Sequence, residues 1–168
     1  SPVDDCTIRA SFFNLSLENT REDIARAVFE GVAFNARWLL APVEKFMGRR
    51  FDYLNFIGGG ANSDIWSQIF ADVFDRKIRQ VKDPIYANAR GAAFLASMAL
   101  KYMTLEDIPR TLQIKAEYTP NPDNRKLYDE RFNEFVHYYK TQRKACARMN
   151  KNAAGVCLPP ASQSSVGR

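Results

Sequence analysis

Three consecutive glycines, Gly58, Gly59 and Gly60, separate an apolar run from an amphipathic run in the stretch LNFIGGGANSDIWSQIFADVF. The apolar run is rich in aromatic and β-branched residues and predicts a buried strand. A strand that enters a tight turn and then a helix leaves free backbone N–H groups at the helix start, where the helix dipole adds partial positive charge. Glycine lets the main chain approach a ligand closely. The spacing therefore predicts a turn that can hold a nucleotide against the main chain.

Three polar residues, Asn62, Ser63 and Asp64, follow the glycines at the predicted start of the helix. Short polar side chains at this position can cap the helix or contact a ligand. No Gly-Lys-Ser/Thr sequence follows, so the pattern is not a Walker A loop. A strand–helix turn without a ligand is the alternative, but three glycines next to a polar cluster favour binding.

A dinucleotide site is a second interpretation of the same residues. Gly58, Gly60 and Ser63 form a partial G-x-G-x-x-G pattern, and Asp83 follows about 20 residues later, after a second predicted strand. A long helix precedes the glycine strand, however, and the third glycine of the pattern is replaced by Ser63.

The helix before the glycines is predicted to begin at Thr20, because Asp23 stands where a capping box carries its acidic residue. Its apolar residues recur at steps of three and four, which predicts one buried face. That predicted face comprises Ile24, Ala27, Val28, Val32, Trp38 and Leu39. Pro42 is expected to kink the helix, and Gly48 to end it.

The elements after the glycines alternate in type. The helix that follows has a predicted apolar face of Ile65, Trp66, Ile69, Phe70 and Val73. KIRQV predicts a second strand, NARGAAFLASMALKYM a third helix, TLEDI a helical turn, and the segment from YTPNPDN onward a long final helix. Alternating strands and helices indicate an α/β layer. Two strands make a poor sheet by themselves, so we expect partner strands from outside the chain.

The composition is that of one globular domain, with 46% hydrophobic and 26% charged residues among 168. No apolar run approaches the roughly 18 residues of a membrane span. Part of the net charge of +5 lies in KTQRKACARMNK, which predicts a solvated helix end and no nucleic-acid partner. Three cysteines without metal-ligand spacing indicate a reducing, cytoplasmic compartment. The single histidine, His137, is expected to be a partly packed helix residue rather than a catalyst.

Three motifs in order, TREDIARAVFEGVAF, GGGANSDIWSQIFADVF and ARGAAFLA, resemble the C-terminal domain of the FGGY carbohydrate kinases, and most closely the xylulokinase-like members. The resemblance implies an α/β fold of the actin-like ATPase (ribonuclease H-like) type, here an incomplete sheet flanked by helices. It covers nearly the whole of a domain that we place at residues 1–148. Residues 149–168 are small, polar and interrupted by Pro-Pro, which predicts a disordered tail.

The resemblance also implies a function for the glycines. In the full-length enzyme, ATP with Mg²⁺ and a sugar would lie in a cleft between two domains. Gly59, Gly60 and Ala61 would line the ATP site by their backbone, with Asn62, Ser63 and Asp64 near the adenine or ribose. The helix that carries ARGAAFLA would pack behind this site, with Ala92, Ala93 and Ala96 as packing residues. Glu30 and Gly31 are expected to be structural.

The sequence departs from the family where the chemistry is expected. It holds no D-x-G-T phosphate turn and no identifiable catalytic Asp, both of which belong to the family's N-terminal domain. We therefore expect no catalytic residue and no metal ligand in this chain, and we expect a missing N-terminal kinase domain. A ketopentose such as xylulose is the expected substrate. An orphaned interdomain face predicts self-association, and a non-catalytic interaction module is a further alternative.

Overall fold

The computed structural model describes residues 2–3 and 5–151. Along the chain the helices and strands are α1 (Arg21–Met47), β1 (Tyr53–Phe56), α2 (Asp64–Phe74), β2 (Lys77–Val81), α3 (Ala87–Ala99), α4 (Ile108–Thr111), β3 (Ile114–Tyr118) and α5 (Arg125–Met149). Single 3-10 turns lie at Gly59–Asn62 and Pro84–Tyr86. The predicted order of helix, strand, glycine turn, helix, strand, helix and helical turn is therefore correct up to β3, which was not predicted.

The sheet has three strands in the order β1-β2-β3, where two were predicted. β1 and β2 are parallel, and β3 runs antiparallel to β2. The sequence of β3, IKAEY, is short and two of its five residues are charged, so its own pattern does not predict a strand. Pairing with β2 provides its hydrogen bonds, and Glu117 on β3 forms ion pairs with Lys77 and Arg79 on β2.

The limits of α1 agree with the sequence signals. The Thr20 hydroxyl accepts a hydrogen bond from the Asp23 N–H, while the Asp23 carboxylate accepts one from the Thr20 N–H, which completes the capping box. Gly48 ends the helix with φ of 66°, a left-handed conformation that glycine adopts at little cost. Pro42 lies inside the helix, which continues past it to Met47.

The core forms where α2 packs on the sheet and where α1 and α5 pack against α2. Its buried hydrophobic residues are Ala33, Phe34, Ile69, Phe70, Ala71, Val73, Phe74, Ile78 and Tyr128. Phe34 of α1 contacts the rings of Tyr128, Phe132 and Phe135 on α5. α2 is almost wholly buried from Ser67 to Phe74, and Trp66, Ile69, Phe70 and Val73 of its predicted face belong to this core or pack against it.

The predicted apolar face of α1 is wrong except at Trp38, which is half-buried and contacts the rings of Phe135 and Tyr139. Ile24, Val28, Val32 and Leu39 are exposed, whereas Glu30, Ala33 and Phe34 are the buried residues of the helix. Two stripes at helical spacing run along α1, and the position of its partners α2 and α5 decides which of them packs. The exposed stripe, continued by Val43 and Phe46, is called the α1 stripe below and comprises Ile24, Val28, Val32, Leu39, Val43 and Phe46.

Two further packing predictions are wrong within the described part of the chain. Ile65 of α2 is exposed, because it precedes the buried part of the helix, which begins at Ser67. Ala92, Ala93 and Ala96 are also exposed, and α3 contains no buried residue. Small residues permit close packing, but none of the described elements covers this side of α3.

The N-terminal segment lies against α5. The Tyr139 hydroxyl donates to the Asp5 carboxylate over 3.1 Å, Phe13 stacks on Tyr138, and the Asn150 side-chain amide donates to the Thr7 carbonyl. Of the predicted tail 149–168, residues 152–168 lie outside the described residues. No helix in the described part of the chain is long and apolar enough to cross a membrane.

Candidate functional site

The glycine turn lies at the carboxyl end of β1. Because β1 and β2 are parallel, their carboxyl ends lie at the same edge of the sheet, which is the edge where open α/β sheets bind ligands. The two ends are joined by a hydrogen bond of 2.9 Å from the Gly58 N–H to the Pro84 carbonyl. We call residues 58–64 the glycine corner.

The backbone of the glycine corner is a left-handed residue followed by one 3-10 turn. Gly58 has φ of 87°, which favours glycine, and its carbonyl accepts the Ala61 N–H. Within the described chain, the N–H groups of Gly59 and Gly60 make no hydrogen bond. The N–H groups of Asp64 and Ile65, the first two residues of α2, also make no hydrogen bond to a described residue, as is common for the first donors of a helix.

The predicted site residues fall into two groups. Gly59, Asn62 and Asp64 are exposed, whereas Ala61 is completely buried. Ser63 caps α2, because its hydroxyl accepts a hydrogen bond of 3.2 Å from the Trp66 N–H. The corner therefore combines a surface that a ligand can reach with residues that hold the turn.

Gly60 differs from the other two glycines in what a side chain would meet. A Cβ at Gly58 or at Gly59 would have no heavy atom within 4 Å, whereas a Cβ at Gly60 would lie 2.5 Å from the Trp66 ring. The open space that a ligand needs is therefore next to Gly58 and Gly59. Of these two, Gly58 has a positive φ, so Gly59 is the position that accepts a side chain without backbone strain.

Three residues that the sequence patterns missed surround Asp64. The Gln80 amide on β2 donates to the Asp64 carboxylate over 3.1 Å, and the Lys115 ammonium on β3 lies 3.4 Å from the same oxygen. The hydrogen bond from Gln80, followed by the hydrogen bond and the charge of Lys115, holds the pKa of Asp64 below its usual value. Burial and the neighbouring carboxylate raise the pKa of the Tyr118 hydroxyl. At neutral pH the corner therefore carries an ionised carboxylate beside a cation.

A β-bulge places Lys115 in this cluster. Gln80 pairs with Ala116 and Val81 with Ile114, so Lys115 is the extra residue of β3. Bulges commonly redirect a side chain near a functional site. Asp64 and Lys115 are 51 residues apart in sequence, and only the pairing of β3 with β2 brings them together.

Exposed apolar side chains adjoin the corner in the segments that meet there. Ile57 directly precedes Gly58, Ile65 is the second residue of α2, and Ile85 and Tyr86 follow Pro84. Such apolar surface beside a few backbone donors is the usual composition of a small-molecule site.

The histidine lies outside the corner, and no metal site is found among the described residues. His137 is exposed on α5 and lines an open groove with Trp38, Phe132 and Lys140, away from the corner. Among the described residues, no group of three or more His, Cys, Asp or Glu side chains is arranged to hold a metal ion.

Comparison with known proteins identifies kinases as relatives of this chain. The model of the FGGY family of carbohydrate kinases, C-terminal domain, matches residues 1–100. The chain is 30% identical over 149 residues to a xylulose kinase of Staphylococcus epidermidis, covering 88% of this chain and 30% of the relative. It is 33% identical over 141 residues to an autoinducer-2 kinase of Enterobacter sp., covering 79% and 26%.

A solved structure gives the same result for the fold. The ligand-bound xylulose kinase from Lactobacillus acidophilus matches with a TM-score of 0.71 and 26% identity, over 85% of this chain and 29% of that protein. The actin-like ATPase fold is therefore confirmed, and the dinucleotide-binding alternative built on Asp83 is wrong. The chain spans about 30% of the length of the xylulose kinase that it matches. By its sequence and its fold, this chain belongs to the FGGY family of carbohydrate kinases, as part of their C-terminal domain.

Proposed function

We propose that the glycine corner binds ATP in a kinase that transfers the γ-phosphoryl group to a sugar hydroxyl. The observation that carries the proposal is the corner itself, where unpaired N–H groups and open space at Gly59 lie at the carboxyl edge of β1 and β2. Backbone donors at a helix start favour anionic groups, because the helix dipole adds partial positive charge there. Membership of a carbohydrate kinase family makes ATP the fitting anion.

Each predicted site residue receives a role in this proposal. Gly58, Gly59 and Gly60 give the backbone its shape and its donors, and Ala61 anchors the turn in the core. Ser63 caps α2. Asn62 and Asp64 face solvent beside the donors and contact the ribose or adenine, while the apolar residues Ile65 and Tyr86 adjoin the same space.

The remainder of the reaction belongs to the longer protein of which we propose this chain is a part. Phosphoryl transfer depends on positioning and charge neutralisation, with donors on both sides of the phosphates and a base that orients the hydroxyl. An N-terminal kinase domain would supply the second phosphate turn, the base and most sugar contacts. Mg²⁺ would accompany ATP, and we assign no residue described here to it. The proposed acceptor is a ketopentose such as xylulose, the substrate in the names of two matched kinases.

The α1 stripe supports the proposal of a longer protein. Six large apolar side chains repeat along one side of a 27-residue helix, and all are exposed. A stripe of this length is typical of an interface rather than of a solvated helix. We propose that upstream chain covers it in the kinase, and that the isolated chain self-associates through it.

The test is Gly59→Val in the full-length protein that carries this chain. The isopropyl group would enter open space, so the fold is expected to tolerate it while ATP loses its approach to the backbone. We expect the KM for ATP to rise about tenfold or more, with the KM for the sugar nearly unchanged. Gly31→Ala, which also adds a Cβ into open space but lies on α1, is the matched control. An unchanged ATP affinity in Gly59→Val would remove the corner from the nucleotide site.

A further inference from the structure

We infer that Gln80 is a positioning residue for the nucleotide, because its side chain on β2 holds the glycine corner in place by hydrogen bonds. The inference rests on the proposed function, since it assumes that the corner binds ATP. Gln80 lies in the middle of the three-stranded sheet and is fully buried. It belongs to none of the three motifs that connect the chain with its family.

The side-chain amide of Gln80 uses both of its ends. Its nitrogen donates to the Ala61 carbonyl over 2.6 Å and to the Asp64 carboxylate over 3.1 Å, and its oxygen accepts from the Tyr118 hydroxyl over 3.3 Å. The reversed amide would place its oxygen against two acceptors. The network therefore fixes one orientation of the side chain.

One nitrogen thus ties together two parts of the corner. Ala61 belongs to the 3-10 turn, in which the N–H groups of the two preceding residues, Gly59 and Gly60, are unpaired within the described chain. Asp64 is the first residue of α2. Holding both sets the position of the turn relative to the helix start, and with it the positions of the donors of Gly59 and Gly60. Binding to donors that are already in place avoids the cost of ordering them.

Two side chains of β3 complete this hydrogen-bond network. Tyr118 contacts the oxygen of the Gln80 amide, and Lys115, placed by the bulge, reaches Asp64 from the other side. β3 therefore does more than extend the sheet, because its two side chains close the network beneath the corner. This gives a physical reason for a strand that its sequence pattern does not predict.

The test compares Gln80→Met with Ile78→Val in the full-length kinase. Methionine keeps the length of the side chain and removes both hydrogen-bonding groups, which leaves the Ala61 carbonyl without its donor. Ile78 is buried on the same strand but has no role at the corner, so its truncation controls for lost stability. We expect Gln80→Met to raise the KM for ATP about tenfold with the sugar KM unchanged, and Ile78→Val to lower Tm without moving either KM.

The outcomes separate the inference from the proposed function. If Gly59→Val raises the KM for ATP but Gln80→Met does not, the positioning role is overturned and the nucleotide site stands. If neither variant changes it, the nucleotide assignment fails and the inference fails with it. A rise in the KM values for ATP and sugar together, or a rise matched by Ile78→Val, would show a structural role only and would overturn the inference.

A second variant keeps the test decisive if Gln80→Met does not fold. Tyr118→Phe removes one hydroxyl group and keeps the ring that packs against the core. We expect it to raise the KM for ATP about two- to threefold, with no change for the sugar, because the amide loses one of its three partners. An unchanged KM for ATP in Tyr118→Phe would overturn the inference in that case.

Discussion

At the scale of single residues, the three glycines of the corner have three different local environments. Gly58 adopts a positive φ, Gly59 borders open space, and Gly60 leaves room for the Trp66 ring. Trp66 is in turn held by a hydrogen bond from its indole N–H to the Phe29 carbonyl of α1. Because Trp66 has little freedom to move, a substitution at Gly60 tests packing, and only a substitution at Gly59 tests the ligand alone.

We predict that Gly60→Ala lowers the free energy of unfolding by about 1–3 kcal/mol, because the new methyl group overlaps the Trp66 ring. Gly59→Ala should change it by less than about 0.5 kcal/mol. Urea unfolding of the chain and its two variants, followed by Trp fluorescence, measures the difference. Equal stabilities for Gly60→Ala and the parent would show that Trp66 moves aside freely.

At the scale of elements, Glu44 connects the last turns of α1 with the segments that lead into the parallel strands β1 and β2. Its carboxylate accepts the Phe51 N–H over 2.9 Å before β1, and it pairs with the Arg76 guanidinium at 3.0 Å before β2. Both side chains of the pair are mostly buried. Burial alone would raise the pKa of Glu44, but the hydrogen bonds from Phe51 and Arg76 outweigh it, so the pKa lies below its usual 4.5.

We predict that Glu44→Gln destabilises the chain by about 1.5–3 kcal/mol at pH 7, where the charged hydrogen bonds are present in full. A depressed folded-state pKa contributes stability above the unfolded-state pKa and loses it as pH falls through the folded-state value. The difference between parent and variant should therefore shrink below about pH 4.5, the ordinary value. Urea unfolding from pH 3 to 7 measures it, with the exposed Glu134→Gln as the control. A difference that is constant with pH would contradict the charge-based role of Glu44.

At the scale of the whole molecule, the chain is well packed on one side and open on others. α2 packs on the sheet and is covered by α1 and α5, while β1 stands at the sheet edge and α3 contains no buried residue. The α1 stripe adds a further exposed apolar surface. The chain spans about 30% of the length of its xylulose kinase relative, and we propose that these surfaces contact the remainder of a longer kinase.

We predict that this chain alone phosphorylates no sugar. It offers one set of phosphate donors at the corner, whereas transfer also needs donors on the opposite side and a base for the hydroxyl. Purified chain with Mg²⁺, ATP and a panel of ketopentoses and polyols would be followed by ADP release, with the full-length protein as the positive control. Sugar-dependent ADP release above a sugar-free blank would show that a carboxylate such as Asp64 or Asp83 acts as the base.

The sequence by itself determined the family, the local elements other than β3, and the position of the corner. Signals carried by neighbouring residues were sufficient for these features. Thr20 and Asp23 form a capping box because they are three residues apart. Gly48 ends α1 because glycine can adopt the positive φ of a helix C-cap. Three glycines after an apolar run mark a strand–helix turn. The motif order around this turn was specific enough to identify a carbohydrate kinase.

Only the tertiary structure decided which faces are buried and what supports the corner. Both stripes of α1 have helical spacing, and α2 and α5 bury the one with Ala33 and Phe34 rather than the one with Val28 and Val32. The support of Asp64 by Gln80 and Lys115 joins residues 16 and 51 positions apart. β3, which carries Lys115, becomes a strand by pairing with β2. Such contacts depend on where elements dock, and a local pattern contains no information about its distant partner.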